Sequence, residues 1–448
     1  MRWLHTSDWH FGRGFHGASL EEAHRQTVEA VCREVQEQGV ELVLISGDVY
    51  DRALPPEWAV RLLEECLTRL VRLGTEVVVT SGNHDSAQRL GFGAGLMAQA
   101  GLHLRTRLED AWAPVELTDS DGVPLLIYGI PYLEPTLTAP LLGLEQAHHT
   151  AVIGEVVRRI RQDLAARCAG GARPRTILMA HLFAAHGVGS DSERIIGAEA
   201  VAGERLEHSE GSAGGLAVVP LELFEGFDYV ALGHLHGRQR LSETVRYSGS
   251  PLRLSFSEVH QAKGAWLGET GSGESCGAAM TVSAVDWRLG RPMAVLEGTI
   301  EEVLAPERVA EHAQSHVQVT LIDDERPVRA HQRVKEAYPH LAVFRHRSPL
   351  DRVHRTYSQA VERARTDSEV VAGFLDHVRT RAADEAETRL ITEALDSVRA
   401  AGASGPAESA DPAETTDETS LTDQTSPTEQ SGSTASDTDS ALSREAAR

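Results

Sequence analysis

Glu41-Leu42-Val43-Leu44-Ile45-Ser46-Gly47-Asp48 and Val77-Val78-Val79-Thr80-Ser81-Gly82-Asn83-His84-Asp85 share one design. Each is a short apolar run that stops at a glycine followed by a side chain able to hold a metal. The pattern extends along the chain. Thr176-Ile177-Leu178-Met179 leads to Ala180-His181, and Tyr229-Val230-Ala231-Leu232 leads to Gly233-His234. Between the first two runs, Glu57 to Leu73 places Trp58, Leu62, Cys66 and Leu70 on one helical face, with Gly74 at the C-terminal cap. Strands alternating with helices predict a layered α/β domain. Ligand sites in such sheets gather outside the carboxyl ends of the strands, so the polar residues are expected to converge on one crevice.

Five motifs stand at these strand ends, in order: Asp8-Trp9-His10, Gly47-Asp48-Val49-Tyr50-Asp51, Gly82-Asn83-His84-Asp85, Ala180-His181 and Gly233-His234-Leu235-His236. Singly each is weak, because a lone histidine at a strand end is more often structural than a ligand. All five, in sequence and each after an apolar run, are hard to obtain by accident. Imidazole, carboxylate and amide-oxygen donors suit manganese, iron or zinc, and no thiolate is present to select zinc. In Gly233-His234-Leu235-His236, alternation along an extended segment would send both histidines to the same side.

The ordered set resembles the calcineurin-like metallophosphoesterases. The resemblance implies an α/β sandwich with helices outside and two divalent metal ions, most simply Mn2+. Such ions, about 3.5–4 Å apart, clamp a phosphate and activate a water. It assigns Asp8, His10 and His236 to one metal and Asn83, His181 and His234 to the other, with Asp48 bridging. His84 then acts on the leaving-group oxygen or stabilises the phosphorane, and Asp85 orients it. Asp51 reads as a loop carboxylate that orients ligands.

Within that superfamily, Tyr247-Ser248-Gly249-Ser250-Pro251-Leu252-Arg253, Ser255-Phe256-Ser257-Glu258 and Lys263-Gly264 resemble the SbcD and meiotic-recombination nuclease family. So do Leu4-His5-Thr6-Ser7-Asp8-Trp9-His10-Phe11-Gly12 and the Pro55-Pro56 that follows the Gly47–Asp51 motif. The phosphoprotein phosphatases differ: here Asp51-Arg52 is followed by Ala53, and the tetrapeptide ends in Asp85 rather than Glu. This resemblance covers about residues 1–265. It implies a DNA nuclease acting in repair and recombination: an ATP-dependent 3′-to-5′ exonuclease on double strands and an endonuclease on single strands and hairpins. No phosphate-binding G-x-x-x-x-G-K-[ST] loop is present, so ATP falls to a partner, an SbcC-like SMC ATPase. The family dimerises through helices, which points to Tyr132–Gly170 and to a homodimer within a heterotetramer. Arg13, Arg89 and Arg253 are either phosphate contacts or exposed charges. A small-molecule phosphodiesterase or phosphatase on the same metals is the alternative, and a noncatalytic scaffold is a third reading that the complete ligand set disfavours.

Four units are expected: residues 1–270 for the nuclease domain, 279–348 for a small α/β capping domain, 353–400 for C-terminal partner-binding helices and 403–448 for an acidic tail. Thr281–Asp286 and His316–Leu321 alternate as strands of the second unit. The tail, rich in Ser, Thr, Asp and Glu, has too few apolar residues to offset the cost of ordering. It carries 8 of the 23 net negative charges of the chain, and the rest argue against a broad basic surface that coats DNA. No apolar stretch approaches the roughly 20 residues a membrane span needs, and the opening residues lack a signal peptide's apolar region, so a cytoplasmic protein is expected. The four widely spaced cysteines, with no C-x-x-C pair, argue against a disulfide framework or a zinc-thiolate site.

Overall fold

Runs that are apolar at every position, rather than at alternate ones, become inner strands buried on both faces. A computed structural model describes residues 1–119, 121–168, 173–193, 218–271, 280–348, 366–379 and 383–402. In chain order the strands of its two large sheets are β1 (Arg2–Thr6), β2 (Leu42–Ser46), β3 (Glu76–Thr80), β4 (Leu102–Arg105), β5 (Val115–Thr118), β6 (Pro124–Gly129), β7 (Arg175–His181), β8 (Tyr229–Gly233), β9 (Gln239–Arg240), β10 (Val245–Tyr247), β11 (Lys263–Glu269) and β12 (Thr281–Trp287). They form two six-stranded sheets, ordered β12-β11-β1-β2-β3-β4 and β9-β10-β8-β7-β6-β5. Strands β1 to β4 run parallel, as do β6, β7, β8 and β10.

The pleat decides where each residue goes. Leu42, Leu44 and Val78 point inward and meet Ile127, Ile177 and Met179 of the opposite sheet. Their neighbours Val43, Ile45 and Val77 point outward, onto helices α1 (Glu21–Gln38) and α2 (Glu57–Arg72). On the far side, Leu178, Ala180 and Val230 pack against the face of α4 (His149–Cys168) that carries Val152, Val156, Val157 and Ile160. The shorter α3 (Pro135–Leu142) precedes it. The result is a sandwich with helices outside. The apolar face of α4 is used up in the core, while Leu137 and Leu141 of α3 stand exposed.

Strand β12 belongs to the first sheet and not to the smaller domain that its alternation suggests. It pairs antiparallel with β11 from Lys263↔Trp287 to Glu269↔Thr281. Alternation identifies a half-buried strand but not its neighbour; here the open edge of β11 supplies the partner. The small sheet comprises β13 (Met293–Gly298), β14 (His316–Leu321) and β15 (Leu341–His346), all parallel. Leu296, Val303, Val317, Val319, Val334 and Tyr338 give it a core of its own. Met293 and Val343 also lie against Phe15, Leu252 and Phe256 of the sandwich.

Residues from Arg355 onward form a separate unit. Its described part holds α5 (Asp367–Arg379) and α6 (Glu385–Gly402), which pack on each other. The expected tail, 403–448, lies outside the described residues, as does Cys276. Among the described residues, Cys32, Cys66 and Cys168 are free thiols, and no helix is long and apolar enough to cross a membrane.

Candidate metal centre

Parallel strands point their carboxyl ends the same way, and β1, β2, β3, β7 and β8 bring all five motifs to one edge of the sandwich. The loops after β1 and β2 are laced together: Asp8 N donates to Gly47 O (3.1 Å), His10 N to Asp48 O (3.0 Å) and Phe11 N to Val49 O (2.9 Å). Two glycines allow the close approach. A Cβ on Gly82 would overlap the Asp48 carboxylate, and one on Gly233 would overlap the Ser46 carbonyl and stand 2.9 Å from His181 Nδ1. Asp8, His10, Asp48 and His234 all take positive φ, at 54°, 46°, 48° and 106°. Side-chain-bearing residues avoid that region, and such strain persists where the surroundings impose it, typically at functional sites.

The side chains meet in two groups that share Asp48. His10 Nε2 lies 3.1 Å from His236 Nε2 and 3.6 Å from Asp48 Oδ2, with Asp8 in the same cluster. His181 Nε2 lies 3.0 Å from Asn83 Oδ1 and 3.4 Å from Asp48 Oδ2. The His181 and His234 rings stand 5.4 Å apart, centre to centre. The Gly233–His236 segment is not extended: the turn at His234 sends that ring toward His181 and leaves His236 beside His10. Both histidines lie at the centre, but a turn and not strand alternation brings them there.

These groups fit a pair of divalent cations. His181 Nδ1 donates to Ser46 O at 2.9 Å, which turns Nε2 toward the two acceptor oxygens of Asn83 and Asp48. Burial would lower His181, but the charges of Asp48 and Asp8 outweigh it and push its pKa up to about 9. Burial drives His10 down to about 3 and His234 well below the ordinary histidine value, which leaves their lone pairs available. Burial works against charge on Asp48, yet His181, His10 and His84 hold it well below the usual carboxylate range. Asp8 is pushed up to about 6 by burial, with Asp48 adding to the rise against the pull of His181 and His236. Buried carboxylates of this kind are stabilised by local positive charge, which bound cations provide.

His84 occupies the rim. Its Nδ1 donates to Asp51 O at 2.8 Å, so Nε2 faces the centre, 3.9 Å from Asp48 Oδ2. Its backbone N donates to Asp48 Oδ1 at 2.8 Å. The ring is thus oriented by the Asp51 carbonyl rather than by the Asp85 side chain. Asp85 ties the two loops instead, accepting from Val49 N (3.1 Å), Tyr50 N (2.9 Å) and Gly82 N (2.9 Å). Burial, with the Asp48 charge, raises its pKa to about 7 against those three bonds. The Asp51 carboxylate lies 3.6 Å from His10 Nδ1, beyond hydrogen-bond reach, and 3.5 Å from Arg13 Nη1. Arg13 also donates to Ser192 O, Arg89 to Ala53 O and Arg253 to Gln261 O, so all three are anchored to backbone.

Several contributors escaped the sequence. Ser248 Oγ donates to Ser7 Oγ at 2.7 Å, and Ser7 in turn donates to Asp8. Glu193 accepts from His236 N at 2.7 Å, and Ser192 Oγ lies 2.6 Å from His236 Nδ1. Glu258 and Lys263 form a buried ion pair beside them. Burial would raise Glu258, but His236 and Lys263 hold it far below its normal value. The Tyr247–Gly264 signature contains three of these residues, but a motif does not say what a side chain touches.

Residues 1–238 match the family model of the calcineurin-like phosphoesterases, and residues 290–379 match that of the Type 5 capsule protein repressor C-terminal domain. The SbcD subunit of the nuclease SbcCD from Escherichia coli (strain K12) is 32% identical over 314 residues, spanning 68% of this chain and 73% of that protein. Its namesake from Staphylococcus epidermidis is 26% identical over 347 residues, spanning 77% of this chain and 85% of that protein. The chain is a metal-dependent phosphoesterase and belongs to the SbcD-type nuclease subunits of the calcineurin-like phosphoesterase family.

Proposed function

We propose that the chain cleaves phosphodiester bonds in DNA with two Mn2+ ions, as the nuclease partner of an SbcC-like SMC ATPase in cytoplasmic DNA repair and recombination. The observation that carries this reading is the convergence of His10 with His236, and of His181 with Asn83, on the shared Asp48. Asp8, His10 and His236 would hold one ion, Asn83, His181 and His234 the other, and Asp48 both. Bound there, two divalent ions supply a water of lowered pKa and positive charge for the phosphate oxygens. The chain's own groups do the rest. His84, its Nδ1 tied to the Asp51 carbonyl, presents Nε2 to the leaving oxygen and can donate a proton to it. Asp85 holds the Val49–Tyr50 and Gly82 backbones, and so sets Asp48 and His84 relative to each other.

Exonuclease action from 3′ ends of duplexes would require ATP hydrolysed by the partner, and hairpins and single strands would be cut endonucleolytically. Arg13 and Arg89 lie beside the Asp51–Ala53 loop, where a DNA phosphate approaching His84 would pass. We assign the units as nuclease domain, capping domain and partner-binding helices, with the first moved to include β12. Two copies would pair through α3, whose Leu137 and Leu141 project from a helix that follows the Tyr132 N–Ser81 O bond at the edge of the site.

The test is cleavage of a labelled, hairpin-ended duplex with manganese, with and without the ATPase partner and ATP. Cutting by the wild type that disappears in His84→Ala is the expected result. Turnover of bis-p-nitrophenyl phosphate with no cleavage of DNA in any combination would move the assignment to a small-molecule phosphodiesterase.

A further inference from the structure

We propose that the buried ion pair Glu258–Lys263, acting through Ser192, positions His236 as a metal ligand. The proposal rests on the reading of His236 as a ligand and adds the groups that hold it. A buried ion pair seldom repays its desolvation as net stability, so one placed against a ligand calls for another role. Glu258 is fully buried and Lys263 nearly so, at 0% and 3% exposure, and His236 beside them is 1% exposed.

The contacts close a ring around the histidine. Ser192 Oγ donates to Glu258 Oε1, which commits its hydrogen there. Its lone pair is therefore the acceptor for the His236 Nδ1–H, 2.6 Å away. That fixes the tautomer, with Nδ1 protonated and the Nε2 lone pair directed at the cluster with His10 and Asp8. Lys263 Nζ donates to Glu258 Oε2 at 2.5 Å and to the backbone carbonyl of His236 at 2.7 Å. Two further acceptors, Ser250 Oγ and Gln261 Oε1, each at 3.0 Å, complete the ammonium's partners. One ion pair thus grips the ligand at its ring and at its main chain. Histidine ligands depend on such a hydrogen bond at the far nitrogen for ring orientation and basicity.

Lost support should weaken one metal site and leave the other, because His181 and His234 make none of these contacts among the described residues. The experiment is manganese titration of the full chain, read by metal content and by the paramagnetic resonance spectrum, for wild type, Glu258→Gln, Glu258→Gln/Lys263→Met and Ser192→Ala. The wild type should bind two equivalents and give the spectrum of a coupled pair. Glu258→Gln should keep one tight equivalent, weaken the second about 10–100-fold, and give a mononuclear spectrum. The double variant removes both buried charges, so the same loss there separates positioning from the burden of an unpaired lysine. Ser192→Ala leaves the ion pair intact and should shift the same equivalent in the same direction. Two equivalents with wild-type affinity in Ser192→Ala and in the double variant would overturn the positioning role alone. A wild type that binds no manganese would overturn the ligand reading with it.

Discussion

Gly233→Ala tests how closely the two sheets meet at the centre. The added methyl would land on the Ser46 carbonyl, 3.0 Å from its carbon, and 2.9 Å from His181 Nδ1. Neither neighbour is a flexible side-chain tip. The carbonyl belongs to β2, and the ring is pinned to that same carbonyl by a 2.9 Å hydrogen bond. To restore ordinary carbon–oxygen contact, the ends of β2 and β8 must part by roughly 1.5 Å. Overpacking of this kind costs about 1–3 kcal/mol of stability. The functional cost is larger, because Asp48 follows β2 and His234 follows β8, so the parting pulls two of the proposed ligands away from each other. A misplacement of about 1 Å can cost about 10²-fold in rate. The assay is manganese-dependent hydrolysis of bis-p-nitrophenyl phosphate, with metal content and thermal midpoint measured on the same preparation. A variant that folds, loses about 10²-fold in rate and binds less manganese is the expected outcome. Wild-type rate with two metal equivalents would refute the reasoning, because the strand ends would then have room that the geometry denies them.

Four further substitutions separate the roles. Gly154→Ala serves as the opposite case: in α4 the new methyl meets only Leu223, at 4.0 Å, so thermal unfolding should report a gain of about 0.5–1 kcal/mol with activity unchanged. His84→Ala should abolish cleavage while elemental analysis still finds both metals; a loss of metal would mean that His84 is a ligand and not a rim group. Asp48→Ala removes the carboxylate that lies 3.6 Å from His10 Nε2 and 3.4 Å from His181 Nε2, and metal content should fall below one equivalent, whereas retention of two would end its proposed bridging role. Asp85→Ala strands the backbone N–H groups of Val49, Tyr50 and Gly82, each worth about 1–3 kcal/mol when buried and unpaired, and chemical denaturation should show a loss of several kcal/mol. A midpoint within experimental error of wild type would show that those loops are held by other contacts.

Much of the centre was legible because its chemistry is local. An inner strand must be apolar throughout, a ligand must carry a donor atom, and a ligand at a parallel strand's carboxyl end must follow the apolar run directly. Leu42–Asp48, Val77–His84 and Tyr229–His236 satisfy all three conditions within a few residues, so order and residue type were sufficient to mark the five motifs, while the family resemblance picked Asp8, His10, Asp48, Asn83, His181, His234 and His236 from them as the expected ligands. Proximity and direction depend on atoms far apart in the chain. The turn at His234, the hold of Asp51 rather than Asp85 on the His84 ring, and the pairing of β12 with β11 are each decided by which group arrives from elsewhere. The Glu258–Lys263 pair is the sharpest instance: its residues stand five apart in sequence, yet what they hold is a ring and a carbonyl of His236, together with a serine that only the closed fold brings within 2.6 Å of that ring. Sequence determined which atoms were available to bind metal. Only tertiary packing, by excluding water and fixing each tautomer, decided where their lone pairs point.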